Sequence, residues 1–273
     1  MCLAALSINP DSRFPWVLAS NRDEFFDRPA APLAWWRPVP GQDAVLSGRD
    51  LSAGGTWLAL NAAGRLALVT NVREPGRFDP AAPSRGALVL QGLRRDPGHG
   101  DDAAWLQGIA REPRNGFNLI LADLQGETCA WATNRPPQQR LAGPGVHAVS
   151  NASLDTPWPK LTRLKQRLAD AVAQGGPAAD LADTLFDALA DRAVAPDAEL
   201  PSTGVPLERE RQLSPAFIHM AAPGGQGAAY GTRCSTLVVV ERQAGRRVVH
   251  VSERSFDAAA AISGTVTLSF ELP

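Results

Sequence analysis

The sequence predicts an α+β protein, with antiparallel sheets and helices kept apart from them. Short apolar runs of strand type come in neighbouring pairs split by turn residues, and helical periodicity is confined to two blocks between those pairs. The alternating βαβ order of a parallel sheet does not occur, nor does a GxGxxG or GxxxxGK[ST] phosphate loop. The 273 residues suit one domain spanning 1–273, because no low-complexity linker or internal repeat divides them.

Residues 3–8 and 16–19 flank the turn residues Asn9-Pro10-Asp11-Ser12 and read as an opening hairpin. A polar knot, Asn21-Arg22-Asp23-Glu24, closes the second strand and leads into an irregular, Pro-rich stretch through Pro40. Residues 56–60 and 65–70 form a second hairpin about Asn61-Ala62-Ala63-Gly64. Helical periodicity covers 84–94, capped by Ser84, and 101–111, capped by Asp101 or Asp102. A strand pair at 117–122 and 127–131 turns at Gly126, and a short strand at 146–150 ends at Asn151. Amphipathic helices are expected at 159–173 and 178–190, a loop at 196–231, and strands at 235–241, 247–253 and 265–270. Arg242, Arg246 and Arg247 fall on hairpin surface, and the glycines at 54–55 and 224–227 read as turns.

Composition removes several function classes. Lys+Arg at 27 against Asp+Glu at 28 leaves a net charge of -1, with no basic stripe for nucleic acid. No run approaches the roughly 20 apolar residues of a transmembrane helix. The start has no basic segment before its apolar run, so no secretory signal is expected. Three cysteines, at 2, 129 and 234, leave an odd thiol in any pairing, and a reduced cytoplasmic location follows. His99, His147, His219 and His250 are scattered and no Cys/His spacing suits zinc, so no metal centre is expected.

Chemistry concentrates at a few positions. Cys2 follows the initiator Met, and loss of Met1 would give one residue both a thiol and an α-amine of pKa near ~8. Such an amine can take the thiol's proton and serve as its own general base. In Asn21-Arg22-Asp23-Glu24, Asp23 could hold that amine while Arg22 orients a carboxylate or a developing anion; a solvated turn with a local ion pair is the plainer reading. Asn71 and Asn151 each end a strand-like run, where they either cap it or donate to an oxyanion. Trp57 can line an apolar pocket or simply pack, and only one of Trp35 and Trp36 can face a core. Cys129 and Cys234 read as inert core thiols, and His219-Met220 as loop surface.

Met1-Cys2, Asn21-Arg22-Asp23-Glu24, Gly54-Gly55-Thr56-Trp57 and Tyr230-Gly231-Thr232-Arg233, in that order, resemble the NRDE family, whose eukaryotic members are named transport and Golgi organisation protein 2. That family is similar in turn to N-terminal nucleophile hydrolases of the choloylglycine hydrolase and penicillin V acylase type. The resemblance implies a four-layer αββα sandwich of antiparallel sheets. It implies Cys2 as nucleophile and Asp23 as the contact of the terminal amine. Asn71 and Asn151 fall on oxyanion positions, within stretches similar to the acylases' "NEKGLA…LN" and "LTNNPTFD" segments, and Arg233 on a late active-site arginine. The acylases place an arginine three residues before the Asp. Here Ser20 holds that position, Arg22 is Asp23's neighbour on the strand, and Glu24 has no counterpart.

Two functions are therefore expected. One is hydrolysis of a small, non-peptide amide (C–N) bond through Cys2, Asp23, Asn71, Asn151 and Arg233, with Arg22, Glu24 and Trp57 holding the ligand. The other, also implied by the family, is a non-catalytic carrier or chaperone for haem or acyl-lipid and acyl-CoA ligands in haem trafficking or lipid homeostasis. Neither needs a resident cofactor; haem would be a transported ligand. The partner in both is a small amphipathic molecule bearing a carboxylate or amide. The sequence leaves the oligomeric state open, and a structural interaction protein is the blandest option.

Overall fold

The structure is a computed structural model that describes residues 2–95, 102–222 and 228–273. The opening hairpin is β1 (Cys2–Ile8) and β2 (Trp16–Phe25), followed by β3 (Ala30–Trp36), β4 (Val45–Asp50), β5 (Leu58–Asn61) and β6 (Arg65–Asn71). After α1 (Gly86–Leu93) and α2 (Asp102–Ile109) come β7 (Phe117–Asp123), β8 (Thr128–Asn134), β9 (Pro137–Leu141) and β10 (Gly145–Val149). Helices α3 (Pro159–Gln174), α4 (Ala178–Leu189) and α5 (Leu207–Gln212) precede β11 (His219–Met220), β12 (Tyr230–Gln243), β13 (Arg246–Phe256) and β14 (Ile262–Glu271).

These strands form two antiparallel sheets. One runs β10-β1-β2-β12-β13-β14, with β11 beside β12; the other runs β3 to β9 in chain order. Between them lies a core of Leu6, Trp16, Leu18, Leu60, Leu68 and Trp131. Leu161, Leu164 and Leu168 of α3 and Leu181 and Leu185 of α4 cover the outer face of the first sheet, on Leu3, Ala5, Val17 and Ala19. Leu88 and Val89 of α1 and Leu106 and Ile109 of α2 cover the second sheet on Ala67, Leu119 and Leu121. The result is the expected αββα sandwich. Because both faces of β1 and β2 are covered, the first seven residues of β1 and first eight of β2 are all buried and show no polar alternation.

Several local expectations change. β2 continues through Asn21-Arg22-Asp23-Glu24, so the polar knot lies on a strand and alternates between its faces. The stretch expected to be irregular through Pro40 holds β3, an edge strand whose register slips between Ala31 and Ala34, where Pro32 sits. β4 and β9 were not expected: β4 has only Val45-Leu46 as an apolar run, and β9, at the other edge, is Pro137-Gln138-Gln139-Arg140-Leu141 and largely exposed. The loop expected over 196–231 contains α5 and β11. Ser84 does not cap: Arg85 occupies the N-cap of α1 and makes no side-chain cap bond. At the β7–β8 turn the positive φ falls on Glu127, not Gly126. Met1, His99, Asp101 and the glycine cluster at 224–227 lie outside the described residues. Among the described residues, no helix is long and apolar enough to cross a membrane.

Candidate functional site

The β1–β2 register sets Cys2 directly across from Arg22. Even-numbered residues of both strands (Ala4, Leu6, Trp16, Leu18) face the other sheet, and odd-numbered ones (Leu3, Ala5, Val17, Ala19) face the helices. Cys2, Arg22 and Glu24 therefore share the inner side of the sandwich, while Asn21 and Asp23 belong to the helix side. Cys2, 9% exposed, lines a cleft of about 690 Å³ together with Asp23, Glu24, Trp57, Asn71, Arg85 and Tyr230. Burial pushes its thiol pKa up; the Asp23 carboxylate adds to the rise and Arg22 opposes it.

Trp57 holds Arg22 in place. The guanidinium carbon stands 4.2 Å from the Trp57 ring centroid, a cation–π contact made in near-complete burial. The edge of that ring lies against Gly48, where a Cβ would come within 2.5 Å of ring atoms, so only glycine fits there. Arg22 Nη2 is 3.9 Å from Asp50 Oδ2, itself bound at 2.8 Å by Arg28. Arg22 Nη1 is buried without a hydrogen-bond partner among the described residues.

On the helix side, Asn21 is fully used. Its Nδ2 donates to the carbonyls of Leu189 and Ala216, both at 2.9 Å, and its Oδ1 accepts from Ser235 Oγ at 2.6 Å. Asp23 Oδ1 accepts from Thr232 Oγ1 at 2.8 Å, and its carbonyl from the Tyr230 hydroxyl at 3.2 Å. Burial pushes the Asp23 pKa up; the chain's amino terminus, Lys160, Thr232 and Arg22 oppose the rise. Lys160 is a participant that sequence reasoning missed. Its buried Nζ donates to the Leu213 carbonyl at 3.0 Å, and burial pushes its pKa down to about 8 against the pull of Asp23. Its signal was position: Lys160 precedes Leu164 and Leu168 at intervals of four, on the apolar stripe of α3.

A hydrogen-bonded relay ties the two oxyanion-type asparagines to Cys2. Ser150 Oγ lies 2.9 Å from the Cys2 carbonyl and 3.1 Å from Asn151 Oδ1, so its one proton serves either acceptor. Asn151 Nδ2 donates to the Asn71 carbonyl at 2.9 Å. The Asn71 side chain lines the cleft and makes no hydrogen bond among the described residues. Asn151, 1% exposed, stands one step behind the wall and braces Asn71. Asn118, also unforeseen, anchors this turn to the second sheet, donating to Thr70 Oγ1 at 3.1 Å and to the Ala152 carbonyl at 2.9 Å.

Arg233 is not among the residues lining the Cys2 cleft; it lines a separate pocket of about 270 Å³. A bulge between Thr232 and Cys234 explains this: Thr232 opposes Asp23 and Cys234 opposes Arg22, leaving Arg233 as the extra residue. Arg22 and Trp57 border both spaces. Cys129 is a core thiol pushed up to about 12 by burial. Cys234 is equally buried, though it touches the smaller pocket. His219 is exposed at the surface, against the Ala258 carbonyl. Trp35 stacks edge-on with Phe270, Trp36 bonds Ser47, and neither lines the cleft.

Fold and site together define a class: a four-layer αββα sandwich with a cysteine at the start of its first strand, facing a cleft between the sheets. The chain belongs to the family described as Transport and Golgi organisation 2, whose model matches residues 1–258. The mouse homologue is 34% identical over 256 residues, covering 88% of this chain and 89% of its own. The human homologue is 33% identical over the same length and coverage. The Drosophila melanogaster protein is 28% identical over 244 residues, covering 83% and 82%. Two solved structures are similar at 10% identity. One is the Caenorhabditis elegans N-acylethanolamine-hydrolyzing acid amidase ortholog, at TM-score 0.48 over 87% of this chain and 92% of its own. The other is the C2A mutant of the conjugated bile acid hydrolase from Clostridium perfringens, at TM-score 0.38 over 99% and 96%.

Proposed function

We propose that the protein hydrolyses a small amide through Cys2 as an N-terminal nucleophile. What carries this reading is the position of Cys2: on the inner face, in the cleft wall, opposite Arg22 and beside the buried Asp23. A buried thiol of raised pKa needs a local base, and removal of Met1 would supply one in the Cys2 amine. That amine takes the thiol proton as Sγ attacks the amide carbonyl carbon. Negative charge collects on the carbonyl oxygen, within the reach of cleft donors such as the Asn71 amide. The proton passes to the leaving nitrogen as the C–N bond breaks, leaving a thioester on Cys2. Water, deprotonated by the same amine, attacks the thioester and releases the acid and the free thiol.

A second reading, a carrier for an amphipathic acid, draws on Arg85. This cleft residue is largely buried and bonds the Gly116 carbonyl instead of a carboxylate, so it offers a cation to an acidic head group. Haem fits this cleft poorly. Of the described lining residues, Cys2 and Tyr230 are of the types that usually serve as axial haem ligands, and burial pushes both pKa values up, away from the anionic forms that bind.

Intact-mass analysis of the purified protein, followed by a chloroacetamide electrophile and a fluorogenic N-acyl aminocoumarin, separates the readings. Hydrolysis predicts loss of Met1, labelling at Cys2 and release of aminocoumarin, the last two abolished in Cys2→Ala. Retained Met1 or an unlabelled Cys2 overturns it. A carrier binds a fatty acid equally well as Cys2→Ala and returns it unaltered.

A further inference from the structure

The smaller pocket belongs to neither reading above. It opens between β3 and the β12–β14 end of the first sheet, lined among others by Arg22, Trp57, Arg233, Glu253, Ser263 and Gly264. Two guanidinium groups border it, and each keeps a buried donor without a hydrogen-bond partner among the described residues: Nη1 of Arg22 and Nε of Arg233. Nearly all buried polar groups in native proteins are paired, and leaving a charged donor unpaired is costly. Two such donors on one pocket call for an acceptor.

Other contacts hold both arginines in place. Arg233 Nη1 donates to the Phe25 and Arg28 carbonyls at 2.7 and 2.9 Å, which fixes the fork and leaves Nε on the chain side. Arg22 is held over Trp57, its side chain 6% exposed. The pocket's carboxylate, Glu253, is already engaged: Oε1 accepts from the Leu33 N–H at 2.8 Å and Oε2 from Thr236 Oγ1 at 3.0 Å. Burial also pushes Glu253 toward its neutral form, so the two arginines outweigh it in charge. At about 270 Å³ the space falls just below the roughly 300–1,000 Å³ usual for whole ligands, which suits a small group.

We propose that this pocket is a binding site for a small oxyanion, a carboxylate or phosphate group, held between Arg22 and Arg233. Guanidinium forks match both anions in geometry as well as charge. The site is separate from hydrolysis at Cys2 yet shares Arg22 with it. An anion there would neutralise the cation opposite the thiol and slow the reaction of Cys2 with electrophiles.

Isothermal titration of the full chain with inorganic phosphate and with acetate, at ionic strength matched by sodium chloride, tests the site. Saturable binding is expected, at least tenfold weaker in Arg233→Met. Gly264→Leu gives an independent arm. Gly264 lines the pocket, its φ lies outside the positive region and a Cβ there meets nothing within 4 Å, so the backbone admits a larger side chain to fill the space. It too should lose binding while keeping the circular dichroism of the parent. Saturating phosphate should slow chloroacetamide labelling of Cys2 in the parent and leave it unchanged in Gly264→Leu. Preference for phosphate or acetate identifies the source. Heats that never saturate, or binding unaltered in both variants, would overturn the proposal. Loss of Met1 and amide hydrolysis bear on the other reading alone.

Discussion

The two faces of β2 at residues 21–24 were built from one tetrapeptide and do opposite work. On the helix side, Asn21 spends its amide on two carbonyls and a serine, and Asp23, which also reaches the cleft wall, meets Thr232 and feels the charge of Lys160. On the inner side, Arg22 and Glu24 border open space, and Arg22 keeps a donor without a partner among the described residues. The difference teaches that conspicuous polar residues need not all belong to the chemistry. Asn21 locks the strand to the helix layer so that its neighbours can present groups to a ligand.

Three measurements break or sharpen this contrast. Asn21→Leu should be the most damaging, because it strands two buried carbonyls and the Ser235 hydroxyl. With about 1–3 kcal/mol per orphaned group, a loss of roughly 3 kcal/mol or more is expected in urea denaturation. A loss under 1 kcal/mol would remove the structural role assigned to that face.

Lys160 comes next. Folding lowers its pKa from 10.5 to about 8, so between those values the unfolded chain holds a proton that the folded chain has released. Stability therefore rises with pH across that window, by about 3 kcal/mol from this group. Lys160→Met should flatten the rise in a stability profile from pH 7.5 to 10. A profile identical to the parent's would show that the amine is not held in a desolvated site.

Glu24→Gln should do least. Glu24 is partly exposed and accepts a bond from the Phe25 N–H. Its loss should stay within about 0.5 kcal/mol while altering ligand affinity in the cleft. A large drop in stability would erase the distinction between the two faces.

The sequence made the opening hairpin, the four longer helices and the last three strands legible, because each is written in local periodicity and turn chemistry. β3 and β9 were not, since these edge strands carry proline or polar residues where alternation would be read, nor was β4, an interior strand whose apolar run stops at Leu46. Among site residues, Cys2, Arg22, Asp23, Glu24, Trp57 and Asn71 do gather at one cleft. Asn151 stands behind it and Arg233 beside it.

The chain alone thus determined which residues were chemically unusual: a thiol next to the initiator Met, a run of charge on a strand, asparagines at strand ends. Only the tertiary structure decided which of them meet. Cross-strand register put Cys2 opposite Arg22, and one extra residue in β12 turned Arg233 toward a different pocket. Lys160 became relevant only when α3 packed against the sheet. Side-chain identity is a local property, whereas the face a side chain occupies depends on pairing between segments distant in sequence. A shift of one residue in that pairing reverses it.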